Sequence, residues 1–69
     1  MTTGMNSGGY VIRWRNVYGN QPARDTDIVV RGLHQAEGCA KELNAKAEGV
    51  IEYTFERTKK HINTEWRPG

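Results

Sequence analysis

Residues 51–66, IEYTFERTKKHINTEW, decide the fold, because two alternating runs are joined there by a short basic stretch. In the first run Ile51, Tyr53 and Phe55 fall on one side and Glu52, Thr54 and Glu56 on the other, the period-two pattern of a half-buried strand. In the second, Ile62, Thr64 and Trp66 share a side, and Pro68 ends the run. Lys59 and Lys60 read as a reversal between them, although neither Gly nor Asn stands at its centre. The expectation is a pair of strands joined by a basic turn.

Upstream of Gly49 the period changes. Leu33, Ala36, Ala40, Leu43 and Ala47 recur three and four apart, with Cys39 beside them, so an amphipathic helix is expected from Leu33. Gly32 suits its N-cap and Gly49 its C-terminal stop, since Gly accepts the left-handed conformation that ends helices. Glu37 with Lys41 and Glu42 with Lys46 have the favourable i, i+4 order on the outer face. Gly38 inside this helix costs roughly 1 kcal/mol relative to Ala. Either another surface approaches it closely or an exposed site tolerates it, and the pattern favours tolerance.

Further upstream, YVIRWRNVY (residues 10–18) sets Tyr10, Ile12 and Trp14 on one side of a strand and Val11, Arg13, Arg15 and Val17 on the other. Gly19, Asn20, Gln21 and Pro22 form a turn-rich connection. About Asp25 to Arg31 a β-branched second strand sends Thr26, Ile28 and Val30 one way and Asp27, Val29 and Arg31 the other. Residues 1–9, MTTGMNSGG, are small and polar and read as a flexible arm, with Met5 an alternative start. The fold class that follows is α+β: residues 10–69 form one domain of order ββαββ, a four-stranded antiparallel sheet with one helix packed on it in two layers. Trp14 belongs to the helix-facing core on this reading, and Arg13 and Arg15 stand on the open face.

At 69 residues with a net charge of +2, the chain supports one thin core and is only mildly basic. Dimerisation would bury more surface, so monomer and homodimer both stay open. With Cys39 the single cysteine and no signal-peptide pattern or long apolar run, a cytoplasmic protein that binds no membrane is expected. His34 and His61 lack metal-ligand spacing, and no Ser or Cys stands by a recognisable base. Hence no enzyme, metal or cofactor is expected.

Function then rests on charge. The candidate partner-binding residues are Arg13, Arg15, Arg31, Arg57, Lys59, Lys60 and Arg67, of which Arg57, Lys59 and Lys60 join His61 in the densest positive cluster. Adjacent residues on a strand point opposite ways, so Trp14 cannot form one stacking platform with Arg13 and Arg15. The open face mixes these arginines with Asp27, Glu52, Glu56 and Glu65. Cross-strand pairing on a solvated sheet is the plainer reading of that mixture, and a surface for a charged partner is the functional one.

The segment VVRGLHQAEGCAKELN (29–44), preceded by YVIRWRNV (10–17) and a short polar hairpin, resembles the small phage-encoded anti-CRISPR proteins that inhibit type I-F systems, in particular the group with a sheet curled around one helix. The similarity covers residues 10 to 47 and includes a helix opening with Leu33, Gln35 and Ala36. It implies a phage inhibitor that binds a protein partner, the CRISPR effector complex, and blocks access of DNA through basic helix residues. Glu37 and Gly38 stand where those basic residues are expected. The alternative is a small basic domain that binds DNA or RNA directly.

Overall fold

The computed structural model describes residues 8–68. Three strands and one helix form in the order β1 (Gly9–Asn16), β2 (Arg24–Val30), α1 (Leu33–Ala47) and β3 (Ile51–Thr58). The sheet is antiparallel with spatial order β2-β1-β3, so the longest-range pairing, β1 with β3, closes around the helix that separates them in sequence. Of the expected arm, residues 1–7 lie outside the described residues. Gly9 is not part of an arm: it is buried as the first residue of β1. A side chain there would collide with the Val30 carbonyl and the Ile62 side chain, so only Gly fits.

The expected fourth strand is absent among the described residues, and the sheet has three strands. After β3 the chain does not reverse at Lys59 and Lys60. It passes the end of the sheet, where Ile62 lies beside Gly9, and reaches the far side of β2. There the Asn63 and Thr64 amides both donate to the Val29 carbonyl at 3.1 and 3.0 Å. The Val29 amide in turn donates to Asn63 Oδ1 at 3.0 Å, and Asn63 Nδ2 donates to the Asp27 carbonyl at 2.7 Å. One residue thus stands in for a strand. Ile62, Thr64 and Trp66 are half-buried and Asn63 and Glu65 exposed, so the alternation is real even though no ladder forms.

β1 meets β3 in an unbroken register from Gly9 opposite Thr58 to Asn16 opposite Ile51. Its pairing with β2 is irregular: Val11 lies opposite Val29 and Arg13 opposite Asp25, so β2 takes four steps where β1 takes two. Thr26 bridges the irregularity. Its hydroxyl donates to the Ile12 carbonyl at 2.7 Å and accepts from the Ile28 amide at 3.0 Å, satisfying backbone groups that the ladder misses.

The helix begins at the Gly32 N-cap, which offers no side-chain acceptor. It ends through two left-handed residues, Glu48 (φ 54°) and Gly49 (φ 82°). The expected stop falls there, with Glu48 sharing the strained conformation. Its buried residues are Ala36, Cys39 and Ala40, small side chains that let the helix backbone lie close to the sheet. With Ile12 and Val30 they form the core, ringed by Tyr10, Ile28, Leu43, Tyr53, Phe55 and Trp66. Burial holds the Cys39 thiol pKa above its ordinary value, with a smaller contribution from the Glu42 carboxylate. Leu33, expected on the buried stripe, is 49% exposed. Trp14, expected in the helix-facing core, is half-buried and outside this cluster; it lines a cleft at the β1–β2 connection. On the other face of the sheet Val11 and Val29, opposite each other in register, are also buried.

Gly38 has a direct explanation. A side chain there would overlap the indole ring of Trp66, so the glycine admits the tail's aromatic residue against the helix. Close approach, not tolerance, accounts for it. The indole Nε1 donates to Glu42 Oε1 at 3.3 Å. No Glu42–Lys46 or Glu37–Lys41 ion pair forms among the described residues.

Candidate partner-binding surface

The sheet places Arg13 and Arg15 on the open face, and both are occupied there. Arg15 Nε donates to Glu52 Oε1 at 2.7 Å, directly across the β1–β3 ladder. Arg13 links all three strands: Nη1 donates to Glu56 Oε2 at 2.8 Å, Nη2 to the Ala23 carbonyl just before β2 at 2.9 Å, and Nε lies 2.8 Å from Asp25 Oδ1. The last contact is an ion pair by distance, but its N–H does not aim at the oxygen, so it acts through charge and not as a directed hydrogen bond. Each exposed pair contributes about 0 to 1 kcal/mol. Their larger effect is to neutralise the face. Lys60 reaches Asp25 at 3.5 Å, and Arg67 pairs with Glu65 at 3.2 Å.

Arg31, Arg57 and Lys59 make no ion pair among the described residues. Register brings them together: Tyr10 lies opposite Val30 on one side and Arg57 on the other, so β2 and β3 both finish at the end of the sheet where β1 begins. Arg31 follows directly from β2 and Lys59 from β3, and all three side chains are exposed. Arg31 and Arg67 line one groove of about 200 Å³ between the tail and the helix, together with Gln35 and Trp66. The seven candidate cations therefore divide into a neutralised face and a basic end. Strand alternation gives the partners of Arg13 and Arg15; the basic end depends on the three-dimensional return of two strands.

A second cleft, about 260 Å³, lies at the opposite end between Trp14, Asn20, Pro22 and Arg24. Among the described residues no group of three or more His, Cys, Asp or Glu side chains could hold a metal ion, and no helix is long and apolar enough to cross a membrane.

Edge geometry is the feature that sequence reasoning missed. On β3, the Tyr53 amide donates to Asn44 Oδ1 at 2.7 Å and Asn44 Nδ2 donates to the Tyr53 carbonyl at 3.0 Å. Asn44 on the helix thus occupies the β3 edge much as Asn63 occupies the β2 edge. No protein-family model matches this chain, and neither a curated protein nor a solved structure is significantly similar to it.

Proposed function

We propose that the protein is a non-catalytic interaction module that docks its basic end onto an acidic protein surface of a nucleic-acid-processing complex and inhibits that complex by occlusion. The observation that carries this reading is the gathering of Arg31, Arg57 and Lys59, without ion partners among the described residues, at one end of a sheet on whose open face Arg13 and Arg15 are neutralised. Unpaired surface cations steer association and select a complementary partner more than they stabilise a fold. Glu56 and Glu65 interrupt the positive charge, which favours a protein surface over a phosphate backbone. The resemblance to type I-F anti-CRISPR inhibitors supports the choice of complex.

The test is co-purification with a type I-F surveillance complex, read beside a gel-shift assay of target DNA binding by that complex. The parent protein is expected to associate and to abolish the DNA shift, and a variant with Arg31, Arg57 and Lys59 changed to Glu is expected to lose both effects while melting like the parent. Failure of the parent to associate would remove this reading. Direct DNA or RNA binding that weakens steeply with salt would put the nucleic-acid alternative in its place.

A further inference from the structure

Asn44 closes only part of the β3 edge. Because Tyr53 turns its N–H and C=O away from β1 to Asn44, and the β1–β3 register is unbroken, Phe55 and Arg57 turn theirs the same way. Among the described residues these backbone groups have no hydrogen-bond partner. The Val17 amide, which bonds to the Val50 carbonyl at 3.0 Å, fixes the same alternation from the other end of the ladder. An unpaired run of this kind is a template for another strand.

We propose that the β3 edge from Phe55 to Arg57 is a strand-pairing site whose occupant is an extended acidic segment of a partner protein. The proposal rests on the basic-end reading and specifies how the partner is held. Phe55 and Arg57 share the helix-facing side of the sheet, and Phe55 packs edge-on against Tyr10 with ring centroids 6.1 Å apart. An incoming strand would bond to the free backbone groups, rest an apolar residue against Phe55 and set carboxylates against Arg57 and Lys59.

A second copy of this chain fits less well. In an antiparallel ladder, outward-turned residues face outward-turned residues, so a symmetric β3 pairing has few possible centres. Centring on Phe55 requires Tyr53, which Asn44 already holds. Centring on Glu56 sets Glu56 against its copy, and centring on Arg57 does the same for Arg57. Centring on Thr58 sets Arg57 against Lys59. Like charges directly opposite destabilise a ladder.

The probe, the Val-Glu peptide, is a blocked synthetic peptide of about ten residues repeating Val-Thr-Glu-Thr, so that Val and Glu stand two apart on one face and Thr takes the other. Its N-methylated form keeps the charge but cannot donate backbone hydrogen bonds, and a Val-Lys peptide is the charge control. On the isotopically labelled full chain, the Val-Glu peptide is expected to slow hydrogen exchange at the Phe55 and Arg57 amides by about tenfold or more, leaving Tyr53 unchanged. The N-methylated and Val-Lys peptides should not do so. Arg57→Pro should abolish the effect, because it removes an outward N–H without breaking the β1 ladder. Arg57→Glu should weaken peptide binding by about tenfold. Equal binding of the N-methylated peptide, or binding without protection at Phe55 and Arg57, would overturn strand pairing while leaving the basic-end reading standing. No binding of the Val-Glu peptide, with inhibition of the surveillance complex intact, would likewise overturn strand pairing alone. A dimer in sedimentation that Arg57→Pro dissolves would overturn the assignment of the occupant.

Discussion

At the β2 edge the carboxamide of Asn63 arrives on an irregular tail, accompanied by two backbone donors and anchored further along by Trp66 against Gly38. At the β3 edge the carboxamide of Asn44 stands on a helix already fixed by the core and acts without backbone help. Both present one acceptor and one donor to a strand, as a neighbouring strand would. They differ in what positions them. The tail depends on its edge contacts for its place, whereas the helix keeps its place without Asn44. Loss of the first contact should therefore release a segment, and loss of the second should expose only a few backbone atoms.

Trp66→Ala tests that asymmetry most severely. Removing a half-buried indole should cost roughly 2 to 3 kcal/mol, below the range for a fully buried Trp. In denaturant melts with hydrogen exchange, the Val29 amide should lose protection while Tyr53 keeps it. Equal loss at both amides would show that the two edges are one cooperative unit. Asn63→Ala should follow at about 2 kcal/mol, because it strands the part-buried Val29 amide. A cost below that of Asn44→Ala in the same melts would reverse the comparison.

The alternating apolar residues of both strands that flank the helix, and the helix between its glycines, could be read from sequence because each period reports which side a residue occupies. The same alternation in Ile62, Thr64 and Trp66 reports an apolar side but not the edge to which the segment attaches. The lack of a turn residue at Lys59 and Lys60 was the available sign that no hairpin forms. For the candidate surface, Glu52 and Glu56 on the same side as Arg13 and Arg15 already foretold neutralisation. The edge roles of Asn44 and Asn63 had no such sign, since a carboxamide pairs with backbone that only folding brings near.

Gly38→Ala sharpens the β2 side of the comparison through a change of sign. Alone it forces Trp66 away and should destabilise by about 1 kcal/mol, the lost contacts outweighing better helix propensity. In a Trp66→Ala background the same change should stabilise by up to about 1 kcal/mol. The same sign in both backgrounds, read from a double-mutant cycle of chemical melts, would mean that the indole does not press on the helix. Asn44→Ala should have the smallest effect, about 0.5 to 1 kcal/mol, since its bonds are solvent-exposed. Its signature should be faster exchange confined to Tyr53.

The irregularity bridged by Thr26 bears on how this chain tolerates changes in length. β2 carries an even excess over β1 between Val29 and Asp25, so Arg24 and Asp25 emerge on the sides they would occupy in a regular ladder. Deleting two adjacent residues there would shorten the strand yet keep Asp25 beside Arg13. Deleting a single one would turn Asp25 toward the helix and leave Arg13 without it, making residues 26–28 a place where lineages can differ by two residues far more readily than by one.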